Sequence, residues 1–186
     1  MIDSGDLRKG LTIELDGALY SIVDWEHNKT GRGGAKVRLK LRDVRAGHIT
    51  EHTYDSGAKF MRARVERQPA QFLYADGEIY TFMNTETYDQ IAINKDRLGE
   101  VALYLKENDD CQVLTYGDEA ISVELPAAVV LAVAETDPWV KGDTAQGGTK
   151  PAKLETGLTV NVPLFVNTGD KVKVDTRSGE YLERSS

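Results

Sequence analysis

Residues 35–42 read Ala35-Lys36-Val37-Arg38-Leu39-Lys40-Leu41-Arg42. Apolar and cationic side chains alternate there without a break. A period of two puts Val37, Leu39 and Leu41 on one face and Lys36, Arg38, Lys40 and Arg42 on the other. Only a half-buried β-strand satisfies that pattern. Residues 18–25, upstream, alternate less cleanly and read as a mixed apolar strand, and residues 48–54 read as a further strand. Asp16-Gly17 separates Leu11–Leu15 from the strand that follows, an Asp-Gly hairpin signal. The chain is therefore expected to be built from short antiparallel strands.

The same theme continues along the chain. Residues 71–74 and 78–83 flank Ala75-Asp76-Gly77, and residues 112–116 and 120–125 flank Gly117-Asp118. Each set reads as a hairpin. Leu98, Ala102 and Leu105 fall at helical spacing, which predicts one helix over 95–106. Residues 129–134, 158–162, 171–174 and 181–182 read as short strands, and the Gly/Thr-rich stretch 142–151 as a loop. Pro69 and Pro126 stand near changes of composition. No repeat of fixed period is evident.

Charge divides the chain in the same places. Residues 1–64 hold 12 Lys/Arg against 9 Asp/Glu, a net +3. Residues 65–127 hold 4 against 13, a net −9, and residues 128–186 hold 7 against 8, a net −1. The overall −7 thus hides a basic first third and an acidic middle. Local sign decides what a surface meets within a Debye length of roughly 8 Å. Many short strands and these shifts favour three small barrels, over 1–64, 65–127 and 128–186, rather than one sandwich.

Enzymatic signatures are missing. His27, His48 and His52 show no metal-ligand spacing; His48 and His52, four apart on a strand, would stand roughly 13 Å apart. Cys111 is the sole cysteine, which excludes an internal disulfide and reads as a small buried residue. No P-loop, GxGxxG or GxSxG occurs. Asp109-Asp110 and Asp118-Glu119 read as solvated turns. No catalytic residue, metal or cofactor is expected. Met1–Asp6 has neither a basic n-region nor an apolar h-region, and no apolar run approaches a membrane span, so a cytoplasmic protein without membrane contact is expected.

The segment that points to a partner is Lys29-Thr30-Gly31-Arg32-Gly33-Gly34-Ala35-Lys36. Two strands run into it, and glycines surround one arginine. Residues 29–45 carry seven Lys/Arg and one Asp, a local +6. A narrow cationic loop suits an RNA backbone, because each Lys or Arg contact releases condensed counterions. The planar guanidinium of Arg32 can fork onto phosphate or stack on a base. On composition alone, a solubilising hairpin tip fits equally well.

Several ordered motifs resemble the elongation factor P family over the whole length. Lys150, Ala152, Gly157, Val162-Pro163 and Gly169 reproduce its C-terminal signature, with Val174–Tyr181 as its ending. Asp137-Pro138 followed by Lys141-Gly142-Asp143-Thr144 also fits, as do Tyr74-Ala75-Asp76-Gly77, Phe82-Met83-Asn84 with Glu86-Thr87-Tyr88, and Asp6–Gly10 with Asp16-Gly17. The resemblance implies an all-β molecule of three small barrels, an SH3-like (KOW-type) domain followed by two OB-folds, in an L-shaped, tRNA-like arrangement. It implies a monomeric factor that binds the 70S ribosome, both rRNA and ribosomal proteins, beside the peptidyl-site tRNA and relieves stalling at consecutive prolines. Arg32 would contact the tRNA acceptor end. Lys29, Gly31, Gly33, Gly34 and Lys36 would shape the loop and contact phosphate. Gly142, Asp143 and Thr144 would meet the mRNA codon in the exit site. Relatives often carry a modified Lys at the tip; here the residue is Arg32, either bare or a substrate for an arginine-modifying glycosyltransferase, and Gly33-Gly34 departs from the glycosylated branch. The competing reading is a general OB-fold protein for single-stranded RNA. Such a protein needs a basic groove with stacking aromatics, which the −9 of residues 65–127 opposes.

Overall fold

The computed structural model describes residues 1–30, 34–138 and 148–185. Strands dominate, and they form three curled sheets that follow one another along the chain. The first sheet contains β1 (Ile2–Asp3), β2 (Thr12–Leu15), β3 (Ala18–Thr30), β4 (Gly34–Asp43), β5 (Ile49–Asp55) and β6 (Lys59–Arg62), in the order β1-β6-β2-β3-β4-β5. The second contains β7 (Glu66–Asp76), β8 (Ile79–Asn84), β9 (Gln90–Asn94), β10 (Asp110–Tyr116) and β11 (Glu119–Glu124), in the order β11-β10-β7-β8-β9. The third contains β12 (Ala128–Thr136), β13 (Thr149–Leu154), β14 (Thr159–Pro163), β15 (Lys171–Asp175) and β16 (Tyr181–Ser185), in the order β14-β13-β12-β15-β16. The chain divides into two compact units, one of residues 1–68, 93–99 and 113–122 and the other of the remainder, so the middle sheet contributes to both.

The alternation in β4 is realised residue by residue. Val37, Leu39 and Leu41 are fully buried, and Lys36, Arg38, Lys40 and Arg42 are exposed. The three apolar side chains form the first sheet's core with Leu7, Ile13, Ile22 and Phe60, and Trp25 and Tyr54 pack against it. The weaker pattern in β3 has two causes. A bulge between Ile22 and Asp24 leaves Val23 without a rung, so the core-facing parity changes from Tyr20 and Ile22 to Trp25, with exposed His27 on the same face. In addition, Leu19 faces the other way, yet is buried against Ala63 and Ile121. An outward residue with its own cover spoils the expected alternation.

The turns obey their chemistry. Leu15 pairs with Ala18, so Asp16-Gly17 is a two-residue loop, and both residues have positive φ (50° and 79°). A type I′ hairpin needs that backbone, and Asp-Gly supplies it at little steric cost. In the β7–β8 hairpin Asp76 pairs with Ile79, which shifts the turn by one residue to Gly77-Glu78.

The helix expected over 95–106 is shorter and mixed. An α-turn, α1 (Lys95–Leu98), passes at Gly99 into a 3-10 helix (Gly99–Tyr104). Gly99 takes φ 55° and ψ −130°, which ends the α-helix. Asn94 caps the start by accepting from the Asp96 N–H at 3.0 Å. Leu98, Ala102 and Leu105 are all buried, so the apolar spacing found the covered face but not the change of helix type.

Cys111 is buried, and burial, helped by Asp110 and Asp109, pushes its thiol up to about 12. Two outcomes follow. Leu39→Ala should lower unfolding free energy by about 2–5 kcal/mol, and Lys40→Ala on the opposite face by under ~0.5 kcal/mol, as read from urea unfolding curves. Thiolate is the reactive form, so iodoacetamide at pH 8 should label folded protein at least roughly a hundredfold more slowly than protein in denaturant.

Candidate RNA-contacting hairpin

Strands β3 and β4 pair antiparallel over ten register positions, from Tyr20↔Asp43 to Thr30↔Gly34. Strand β5 supports β4 from Arg42↔Ile49 to Lys36↔Asp55. A long ladder with one buried face gives the hairpin a defined direction. Gly34, at its end, has φ 80°, a conformation that side chains with a Cβ rarely adopt. The sequence-predicted tip residues Gly31, Arg32 and Gly33 lie outside the described residues, as do Gly142, Asp143 and Thr144 of the predicted codon loop. Lys29 is placed by its backbone, opposite Ala35, and Lys36 is exposed between Asn28 and Asp55.

The cationic strand face differs from its reading in isolation. Across the ladder, Arg38 stands opposite Glu26, and Lys40 stands between Asp24 and Glu51. Arg38 forms an ion pair with Glu51, and Lys9 Nζ lies 2.9 Å from Asp24 Oδ1. The hydrogen bond from Lys9, reinforced by the Trp25 N–H, holds the Asp24 carboxyl below the usual range. A shallow depression lined by Asp24, Trp25, Glu26, Arg38, Lys40 and Glu51 is therefore of mixed charge. Carboxylates on β3 and β5 offset β4 from Lys40 to Lys36, whose β5 partner is Asp55. Lys29 and Lys36 are the β3 and β4 cations placed nearest the chain ends that enter Gly31-Arg32-Gly33. The single-strand count of +6 overlooked this because cross-strand partners are distant in sequence.

At the other predicted loop, the flanks are described. The β12–β13 ladder includes Thr136↔Ala152. Thr136 Oγ1 donates to the Pro151 carbonyl at 2.9 Å, and Lys150 Nζ donates to the Asp137 carbonyl at 2.5 Å. Lys150 is 7% exposed, on the same face as Ala152 and Leu154. Its role as a buried strap between the two flanks was not read from sequence. The available signal was its inward parity with Ala152 and Leu154.

Glu119 is a second residue that sequence reasoning misplaced. Read as part of a solvated acidic turn, it lies between two arginines: Arg45 Nη2 is 2.8 Å from Oε2 and Arg97 Nη1 is 2.9 Å from Oε1. Arg45 foremost, then Arg97, holds its carboxyl below the ordinary value. Asp109, by contrast, is shifted upward by burial. Among the described residues, no group of three or more His, Cys, Asp or Glu could hold a metal ion, and no helix is long and apolar enough to cross a membrane.

Comparison with known proteins accounts for the architecture. The family model "Elongation factor P (EF-P) KOW-like domain" matches residues 3–60, "Elongation factor P (EF-P) OB domain" matches 65–123, and "Elongation factor P, C-terminal" matches 129–184. The chain is 53% identical over 184 residues to "Elongation factor P" of Natranaerobius thermophilus, covering 99% of this chain and 98% of the relative. It is 52% identical over 185 residues to "Elongation factor P" of Moorella thermoacetica, covering 100% of each. Among solved structures, "Eukaryotic translation initiation factor 5A from Methanococcus jannaschii" shares the fold at a TM-score of 0.52 and 20% identity, over 67% of this chain and 90% of that one. Three matches in order along one chain, and about half the residues shared end to end with named relatives, make this protein a member of the elongation factor P family of translation elongation factors.

Proposed function

We propose that this chain binds the 70S ribosome beside the peptidyl-site tRNA and stimulates peptide-bond formation at consecutive prolines. It does so by holding the tRNA acceptor end in a reactive geometry. The observation that carries this reading is the β3–β4 hairpin, a ten-rung ladder with one face locked in a core and Gly31-Arg32-Gly33 joining its far end. Cross-strand carboxylates stand beside the ladder from Lys40 to Lys36, and Lys29 stands opposite Ala35; Lys29, Arg32 and Lys36, nearest the loop or in it, are the cations assigned to phosphate. Gly31, Gly33 and Gly34 carry no side chains that would widen the approach.

Proline is a slow nucleophile, and a proline-rich nascent chain displaces the ester carbonyl it must attack. Restoring the alignment converts binding energy into rate, at about tenfold for each ~1.4 kcal/mol. Peptide transfer remains the ribosome's chemistry, and this chain supplies no nucleophile or base. Gly142, Asp143 and Thr144 would meet the exit-site codon, with the Lys150 strap fixing the flanks of their loop. The three domains would be 1–64, 65–127 and 128–186, acting as a cytoplasmic monomer. The acidic middle would face away from rRNA or toward basic ribosomal protein, because like charge beside phosphate is costly. Arg32 is either bare or carries a sugar placed by an arginine-modifying glycosyltransferase, which intact mass of natively expressed protein would decide.

Arg32→Ala should leave the unfolding midpoint unchanged and lower the stimulated rate of proline–proline bond formation by roughly 10–100-fold. The measurement is single-turnover synthesis of a three-proline peptide on purified ribosomes. An unchanged rate would remove the assigned role from Arg32. Equal affinity for single-stranded oligonucleotides and for ribosomes with an occupied peptidyl site would favour the general RNA-binding alternative.

A further inference from the structure

The base of the β3–β4 hairpin is held by a patch with no part in the contacts proposed above. Leu19, near the start of β3, is buried against Ala63 and Ile121, with Val44 and Tyr116 packed alongside. The Val44 N–H donates to the Leu19 carbonyl at 2.9 Å, just past the end of β4. Arg45 follows immediately and joins Glu119, which also receives Arg97. Arg97 Nη1 donates in addition to the Ala120 carbonyl at 2.9 Å. On the other side, the Tyr116 O–H donates to Glu14 Oε2 at 3.1 Å, and the Glu14 carboxylate pushes that phenol's proton affinity up. Every one of these residues belongs to the unit of residues 1–68, 93–99 and 113–122.

These contacts are half-exposed, and such ion pairs add little to stability. Their leverage is geometric. The ladder is built into the first sheet's core as far as Val37, so the sheet moves as one body, and ten rungs at about 3.3 Å each put its far end roughly 30 Å from the patch. An angular slack of about 2° at the patch moves the far end by roughly 1 Å, and a misplacement of that size costs up to about a hundredfold in a reaction driven by alignment. A clamp that adds little to folding can therefore matter to rate.

We infer that Glu119 is a positioning residue: by joining Arg45 to Arg97, it fixes the direction of the first sheet, and with it the β3–β4 hairpin, against the α1 turn and the β10–β11 hairpin. The carboxylate is suited to this because each of its two oxygens takes one guanidinium. Glutamine at this position keeps the shape but turns one oxygen into an N–H donor that faces an arginine. The effect on synthesis rests on the proposed function; the effect on the hairpin does not.

The test separates the two. Spin labels are placed at Lys36→Cys and Lys95→Cys, both exposed and within this unit. Buried Cys111 is left in place. In the labelled background, Glu119→Gln is expected to broaden or shift the distance distribution by roughly 2 Å or more, given the length of the ladder. Tyr116→Phe, which removes only the bond to Glu14, should act in the same direction to a smaller extent. Without labels, Glu119→Gln should lower the saturated rate of proline–proline bond formation at least about fivefold and change the half-saturating concentration by less than about twofold. Superimposable distributions for both variants would overturn the clamp. Broadened distributions with an unchanged saturated rate would overturn the positioning role. A broadened distribution with a parent protein that stimulates nothing would refute the proposed function and leave the clamp standing.

Discussion

Burial of Val37, Leu39 and Leu41 is the interaction on which the rest depends. These side chains fix the register of β4 against both β3 and β5, because a slip of one residue would turn all three toward water and bring four cations inward. At about 1.5–3 kcal/mol for each fully buried aliphatic side chain, the alternative register is not competitive. A defined register then defines which residues end the ladder. Thr30 and Gly34 are paired, and three residues remain to join them. The functional reading of Arg32 begins with that hydrophobic choice.

Electrostatics act on this frame as a filter. Strand β4 carries a cation at every second position, and taken alone it looks like a continuous phosphate-binding strip. Glu26, Asp24 and Glu51 on the neighbouring strands offset its middle. A surface of alternating sign holds the sheet together through cross-strand pairs and gives RNA little reason to lie along it. Asp55 stands opposite Lys36 as well, so Lys29, opposite Ala35, is the strand cation nearest the loop with no carboxylate on its rung. This division agrees with a factor that probes with a tip rather than wraps a strand, and it separates this chain from single-strand binders that use a basic groove.

The sequence made some of this legible and hid the rest for definite reasons. Strand β4 was plain because one of its faces meets only core and the other only water. Strand β3 was less so, because a bulge at Val23 changes parity halfway and Leu19 is covered on its outer side by Ile121. The Asp16-Gly17 turn was legible from its residue types, since few others tolerate two successive positive φ values. The helix over 95–106 was seen by its apolar spacing but not as a short α-turn passing into a 3-10 segment, because Gly99 acts through a backbone angle that periodicity does not register. Glu119 and Lys150 were opaque for a shared reason. Glu119 finds its partners 74 and 22 positions away, and Lys150 spans the base of a loop. Neither a window nor a composition reveals long-range pairing. Family resemblance supplied the candidate roles of Arg32 and of Gly142-Asp143-Thr144, and local chemistry alone left a basic hairpin with two equal readings.

The central claim is that the β3–β4 hairpin delivers its cations to the acceptor end of peptidyl-site tRNA. Site-specific photocrosslinking tests it most directly. A short photoreactive side chain is placed at Ala35, next to the loop, and the protein is added to ribosomes stalled within a proline run. The account predicts a crosslink to the 3′-terminal nucleotides of the peptidyl-tRNA that disappears when the peptidyl site is empty. Crosslinks that go only to ribosomal protein or to rRNA away from the acceptor end, unchanged by removal of the tRNA, would contradict it.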